Sequence, residues 1–166
     1  MPVNIDREIA EPFYRVVGAI IIKWGGVDTL ITQTCKILFE DLGGHSAYKK
    51  PPHDLTTRLQ FIQDCIGPNS ALLPLKTQAE WICERTREVA SHRTYIAHGL
   101  LTAYSPEGHV FQFTKVNKRA DTTGYDQVST NLSMAELLQI DEAVEQIMAA
   151  LVQLGEALQR WGKCRP

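Results

Sequence analysis

Apolar residues recur along this chain at alternating steps of four and three, the spacing that keeps one helical face out of water. The first such stripe runs Phe13, Val17, Ile20, Trp24, Val27, Ile31, Thr34 and Leu38. Pro12 suits a first helical turn, where its missing N–H costs nothing, and Gly43-Gly44 supplies a stop. The pattern predicts a helix from about Pro12 to Leu42. Gly25-Gly26 interrupts it at a cost of about 1 kcal/mol per glycine relative to alanine. Trp24, Val27 and Ile31 hold their phase across the pair, which favours one continuous helix with the glycines serving close packing.

Pro51-Pro52-His53-Asp54 then breaks the chain and offers Asp54 as an N-cap for a short helix over Leu55–Ile66, closed by Gly67-Pro68-Asn69. A third helix is expected from about Ala71 to His98 on the stripe Leu75, Ala79, Ile82, Thr86, Val89, Arg93 and Ile96. Arg93 is its one charged member. The last, from about Met134 to Gly162, carries Leu137, Ile140, Val144, Ile147, Leu151, Leu154, Leu158 and Trp161 behind a capping box at Ser133 and Glu136.

Between Gly99 and Asn131 the period falls to two. Val110–Val116 reads as a strand, joined to Leu100–Tyr104 by the turn Ser105-Pro106-Glu107-Gly108, and Tyr125–Thr130 reads as a third, edge-like strand. The expected fold is all-α: an up-down bundle of three long helices and one short one, in a single domain over 1–166. A small β-hairpin or meander (about 100–131) is inserted before the last helix. Val16, Leu30, Ile37 and Met148 widen the apolar faces beyond one seam, and that surplus predicts a homodimer.

Composition narrows the function. The chain has 166 residues, 44% of them apolar, and 17 Lys+Arg against 19 Asp+Glu. A net charge of −2 excludes a bulk-cationic nucleic-acid coat, so an RNA site has to be a local patch. The longest apolar run, Val16–Ile22, contains Gly18 and ends at Lys23, too short for the roughly 20 residues of a membrane span. No signal-peptide pattern opens the chain. A soluble, cytoplasmic protein with no membrane partner is expected. Cys35, Cys65, Cys83 and Cys164 form no CxxC pair, and the five histidines show no metal-ligand spacing. No cofactor and no metal are expected, and phosphate-binding and hydrolase motifs such as GxxxxGK[ST] and GxSxG are missing.

The candidate chemistry lies in Ser91-His92-Arg93-Thr94-Tyr95-Ile96-Ala97-His98-Gly99. Arg93 and His98 are about 140° apart around an ideal helix, so direct pairing is not expected, although both can line one groove near the helix end. Histidine moves protons at neutral pH, and arginine holds a phosphate and stabilises charge developing on it. Together they suit RNA cleavage by the RNA's own 2′-hydroxyl. Structural roles stand beside this reading: Arg93 paired with Asp28 or Glu88, and His98 bonded to the last helical carbonyls. His92 and Tyr95 flank the pair, as a proton or stacking source or as satisfied polar residues, and Asp28 either orients the pair or is a solvated helix acid. Lys49 and Lys50 beside Tyr48, and Lys115, Lys118 and Arg119 near Phe111 and Phe113, fit an RNA-tracking surface or a solvated hairpin.

The R-x4-H string Arg93–His98, in the setting HRTYIAHG at a helix end, resembles the HEPN family of α-helical domains. The segment KWGGVDTLI (Lys23–Ile31) is similar to the first helix of its bacterial members. The resemblance covers about 13–99, plus the last helix by architecture. It implies a dimer whose two R-x4-H motifs face one cleft, and metal-independent endoribonuclease activity in toxin, antiviral or RNA-processing systems. Arg93 and His98 would be the catalytic pair, with RNA and a protein antitoxin among the partners. The residue after the arginine is often Asn, Asp or His in active members, and here it is Thr94. A non-catalytic nucleotide- or partner-binding module of the same family is the alternative reading.

Overall fold

The computed structural model describes residues 3–46, 48–118 and 124–163. The stripes become four helices, α1 (Arg7–Glu40), α2 (Leu55–Ile66), α3 (Lys76–His98) and α4 (Met134–Lys163). Between α3 and α4 lie β1 (Leu100–Ser105), β2 (Val110–Lys118) and β3 (Tyr125–Ser133). Helix α1 starts earlier than Pro12 because the Asp6 carbonyl accepts from the amides of Ile9 and Ala10 and nucleates the first turn. Pro12 sits inside the helix and gives up one ladder bond. Asp54 caps α2 as its sequence implies, its Oδ1 accepting from the Thr57 amide at 2.9 Å. Pro74 holds the first turn expected of α3 as a 3-10 segment, Ser70–Leu75, and the α-helix proper begins at Lys76.

The chain folds into two compact units, Met1–Ile22 with Val89–Ala143 and Lys23–Glu88 with Val144–Pro166. In the second, Trp24, Val27, Ile31 and Leu38 of α1 are buried, together with Leu59, Phe61 and Ile62 of α2, Ile82 of α3 and Val144, Ile147, Leu151, Leu154 and Leu158 of α4. Trp161, expected on that stripe, is instead 39% exposed near the helix end.

Helix α1 runs unbroken through Gly25 and Gly26. A Cβ at Gly26 would meet Met148 Cε at 2.9 Å, which is the close packing expected there, whereas one at Gly25 would meet nothing within 4 Å. Gly25→Ala is therefore expected to stabilise the chain by about 0.5–1 kcal/mol, read as a higher urea midpoint at unchanged slope. Gly26→Ala gains less, because the Met148 methyl has to move.

The first unit corrects the all-α expectation. Its strands form a three-stranded antiparallel sheet in the order β1-β2-β3, and the sheet builds the core of this unit rather than decorating a bundle. Phe111 and Phe113 of β2 and Leu132 of β3 are buried, and Phe111 stacks on Phe13 of α1 with ring centroids 4.1 Å apart. Tyr104 of β1 lies 5.1 Å from the Phe111 ring. Alternation places Phe111, Phe113 and Lys115 on this inner face and Gln112, Thr114 and Val116 on the outer one. On the outer face the hydroxyls of Thr102, Thr114 and Ser129 form a hydrogen-bonded row across all three strands, at 2.8 and 2.7 Å.

By length and composition alone, α1 could cross a membrane. Its stripe residues Phe13, Ile20, Trp24, Val27, Ile31 and Leu38 are buried in protein, while 28% of its most apolar stretch is buried in all.

Candidate functional site

The site stands at the junction of β1 and the last part of α3, which from Val89 onward belongs with β1 to the first unit. Helix α3 stays regular through His98 and stops at Gly99, whose amide donates to the Tyr95 carbonyl at 2.8 Å. The approach is too close for any side chain: a Cβ at Gly99 would lie 2.4 Å from the Tyr95 oxygen. Glycine there lets the chain leave the helix directly into β1 and fixes His98 as the last helical residue, exposed to solvent.

Arg93 and His98 meet, contrary to the expectation from an ideal wheel. Arg93 Nη1 lies 3.1 Å from His98 Nε2. The wheel describes where Cβ atoms point, and the long arginine side chain spans the remaining angle along a helix that does not loosen. A guanidinium has no acceptor, so Arg93 donates and Nε2 of His98 accepts through its lone pair. Arg93 is half-buried, holding the cation in place while the imidazole stays accessible.

The neighbours divide clearly. Lys115 Nζ sits 4.9 Å from the centre of the Tyr95 ring, a cation–π contact that joins β2 to the motif helix. It was legible only in part: alternation puts Lys115 on the same face as Phe113, but nothing local names Tyr95 as its seat. The Ser133 amide and hydroxyl, both 2.7 Å from Glu136 Oε2, hold the Glu136 carboxyl below its usual value, with His92 a smaller contributor. The expected capping box of α4 is therefore formed. Thr94 spends its hydroxyl on the Ala90 carbonyl at 2.9 Å, within its own helix. Lys118 is exposed near the end of β2, and Arg119 lies outside the described residues.

Three predicted participants belong to the second unit. Asp28 is committed to Arg58, its Oδ1 accepting from Nη2 at 2.7 Å, while Arg58 Nη1 also donates to Thr32. It thus ties α1 to α2 rather than orienting Arg93 or His98. Lys49 and Lys50 are exposed after Tyr48, whose hydroxyl donates to Asp64 at 2.6 Å and is pushed up to about 12 by that bond.

Other groups offer less chemistry. Burial pushes the thiols of Cys35 up to about 12 and of Cys65 and Cys83 to about 11, which keeps them in the unreactive neutral form. A groove of about 460 Å³ in the first unit is lined by Pro12, Val16, Ala19, Met134 and Leu138, with Glu11, Arg15 and Asp141, and contains none of the motif residues. Among the described residues, no three His, Cys, Asp or Glu side chains gather as a ligand set.

The assembled elements are thus a cation and an imidazole in direct contact, and a second cation, Lys115, seated on the ring of Tyr95 from the same helix. Neither a protein-family model, nor a curated protein, nor a solved structure matches this chain.

Proposed function

We propose that the chain is a metal-independent endoribonuclease of HEPN type, working as a cytoplasmic homodimer in a toxin, antiviral or stress-response setting. The observation that carries this reading is the 3.1 Å bond between Arg93 and the exposed His98. It aims the Nε2 edge of an accessible imidazole at the cation that would hold a phosphate, which is where a general base is needed.

A phosphodiester is a stronger, charge-assisted acceptor for arginine than a neutral imidazole. As phosphate oxygens take the Arg93 hydrogen bonds, the Nε2 lone pair is released beside the bound phosphate. The ribose 2′-hydroxyl gives its proton to Nε2 while its oxygen bonds to phosphorus. The bond from phosphorus to the 5′-oxygen breaks, that oxygen takes up a proton, and a 2′,3′-cyclic phosphate remains. Arg93 stabilises the charge gathered on phosphorus. A water molecule supplies the proton for the leaving oxygen, and His98 afterwards returns the proton it took to solvent. Lys115, seated on Tyr95, and Lys118 hold flanking phosphates and set the register of the strand.

Thr94 favours a second reading, a module that binds RNA, a nucleotide or an antitoxin without cutting. Its hydroxyl is used within the helix, so the position after the arginine gives the site no donor. RNA incubated with the protein in EDTA separates the two. The expected products end in 2′,3′-cyclic phosphate. RNA that is bound but stays full length under these conditions overturns catalysis in favour of the binding module.

A further inference from the structure

The two edges of the sheet differ in how they meet solvent. Strand β1 is six residues long and its pairing slips between Leu101 and Ala103, a bulge of the kind that protects an edge. Strand β3 is nine residues long and pairs with β2 without a break from Tyr125 to Ser133. It contains no Lys, Arg or Pro, and Asp126 is its only charge. Of the usual devices that stop an edge from recruiting another strand, it has only Asp126 and, at its last residue, the Glu136 carboxylate on the Ser133 amide.

The ladder fixes which backbone groups point outward. The Met134 amide donates to the His109 carbonyl at 3.1 Å, one step beyond the pair Val110–Ser133. In an antiparallel ladder every second pair exchanges both bonds. Asp126, Val128, Thr130 and Leu132 therefore bond to β2, and Tyr125, Gln127, Ser129 and Asn131 aim their amides and carbonyls away from it, while the outward amide of Ser133 is taken by Glu136 in the α4 capping box. The 2.7 Å bond between the Thr114 and Ser129 hydroxyls fits this parity, because side chains approach most closely at non-hydrogen-bonded pairs.

We infer that β3 is a dimerisation edge, pairing antiparallel with β3 of a second copy about a twofold axis through Ser129 to give a six-stranded sheet. The argument for a second copy is self-complementarity. Ser129 is both the midpoint of the strand and one of its outward-facing residues, so the twofold maps the outward residues Gln127, Ser129 and Asn131 onto themselves. Gln127 of one copy then stands opposite Asn131 of the other, both uncharged. The single charge, Asp126, faces Leu132 rather than its own equivalent, so no like charges meet. Val128, 36% exposed on the inner face, gains Thr130 of the other copy as its neighbour. This edge specifies the interface of the homodimer named above and does not require the chain to cleave RNA.

Gln127→Pro tests it in the full-length protein. Proline removes one outward amide from each copy and leaves the bonds to β2 in place, so the monomer keeps its sheet. Sedimentation over a dilution series is expected to show a dimer for the wild type and an association roughly 100-fold weaker for the variant. Hydrogen exchange on the wild type gives an independent reading, with the Gln127, Ser129 and Asn131 amides protected at dimeric concentrations and released on dilution. A wild type that is monomeric throughout, a variant that dimerises as tightly as the wild type, or outward amides indifferent to concentration would each overturn the inference.

Discussion

Replacing His98 with alanine is expected to slow RNA cleavage in EDTA by roughly 10²–10⁴-fold, the usual contribution of a positioned acid–base group. The loss should appear in the chemical step, because phosphate contact rests on Arg93 and Lys115 and both remain. Stability should change by no more than about 0.5 kcal/mol, since the imidazole is exposed and water can replace it as acceptor for the half-buried Arg93. A merely structural His98, bonded to the last carbonyls of α3, would give the opposite pattern, a less stable protein with unchanged cleavage. Single-turnover cleavage alongside urea denaturation distinguishes the two.

The largest expected effect on stability falls on the sheet. Phe111 is fully buried, stacked on Phe13 and flanked by Tyr104, so it joins β1, β2 and α1. Phe111→Ala removes that ring where the surrounding backbone is held by two strand ladders and cannot collapse into the space. A loss of about 3–5 kcal/mol is expected, measured as a lower urea midpoint. A sheet that were only an appendage to a helical bundle would lose under about 1 kcal/mol, and that result would restore the all-α description.

Local signals carried much of the fold. The α2 boundaries follow from Asp54 and Gly67, and the start of α4 from Ser133 and Glu136, because caps and turns are set by neighbouring residues. The continuity of α1 through Gly25 was legible because a turn would have reset the apolar phase. The weight of the sheet was not. Phe111 and Phe113 show alternation, but their burial depends on Phe13, about a hundred residues away, and no local pattern encodes that contact. The same limit applies at the site. The R-x4-H spacing found Arg93 and His98, while an ideal wheel argued against the bond they form, because it tracks Cβ directions and not the reach of an arginine. Asp28 looked like a member of the site, whereas its partner Arg58 is thirty residues away on α2.

The central claim is that the RNA's own 2′-hydroxyl, deprotonated by His98 and steered by Arg93, cuts the chain. The most direct test is an RNA in which the ribose at one established cleavage position is replaced by 2′-deoxyribose, incubated with the wild-type protein in EDTA. Cleavage is expected to vanish at that position alone and to continue elsewhere, leaving 2′,3′-cyclic phosphate ends. Cutting that persists at the deoxy position would contradict the account.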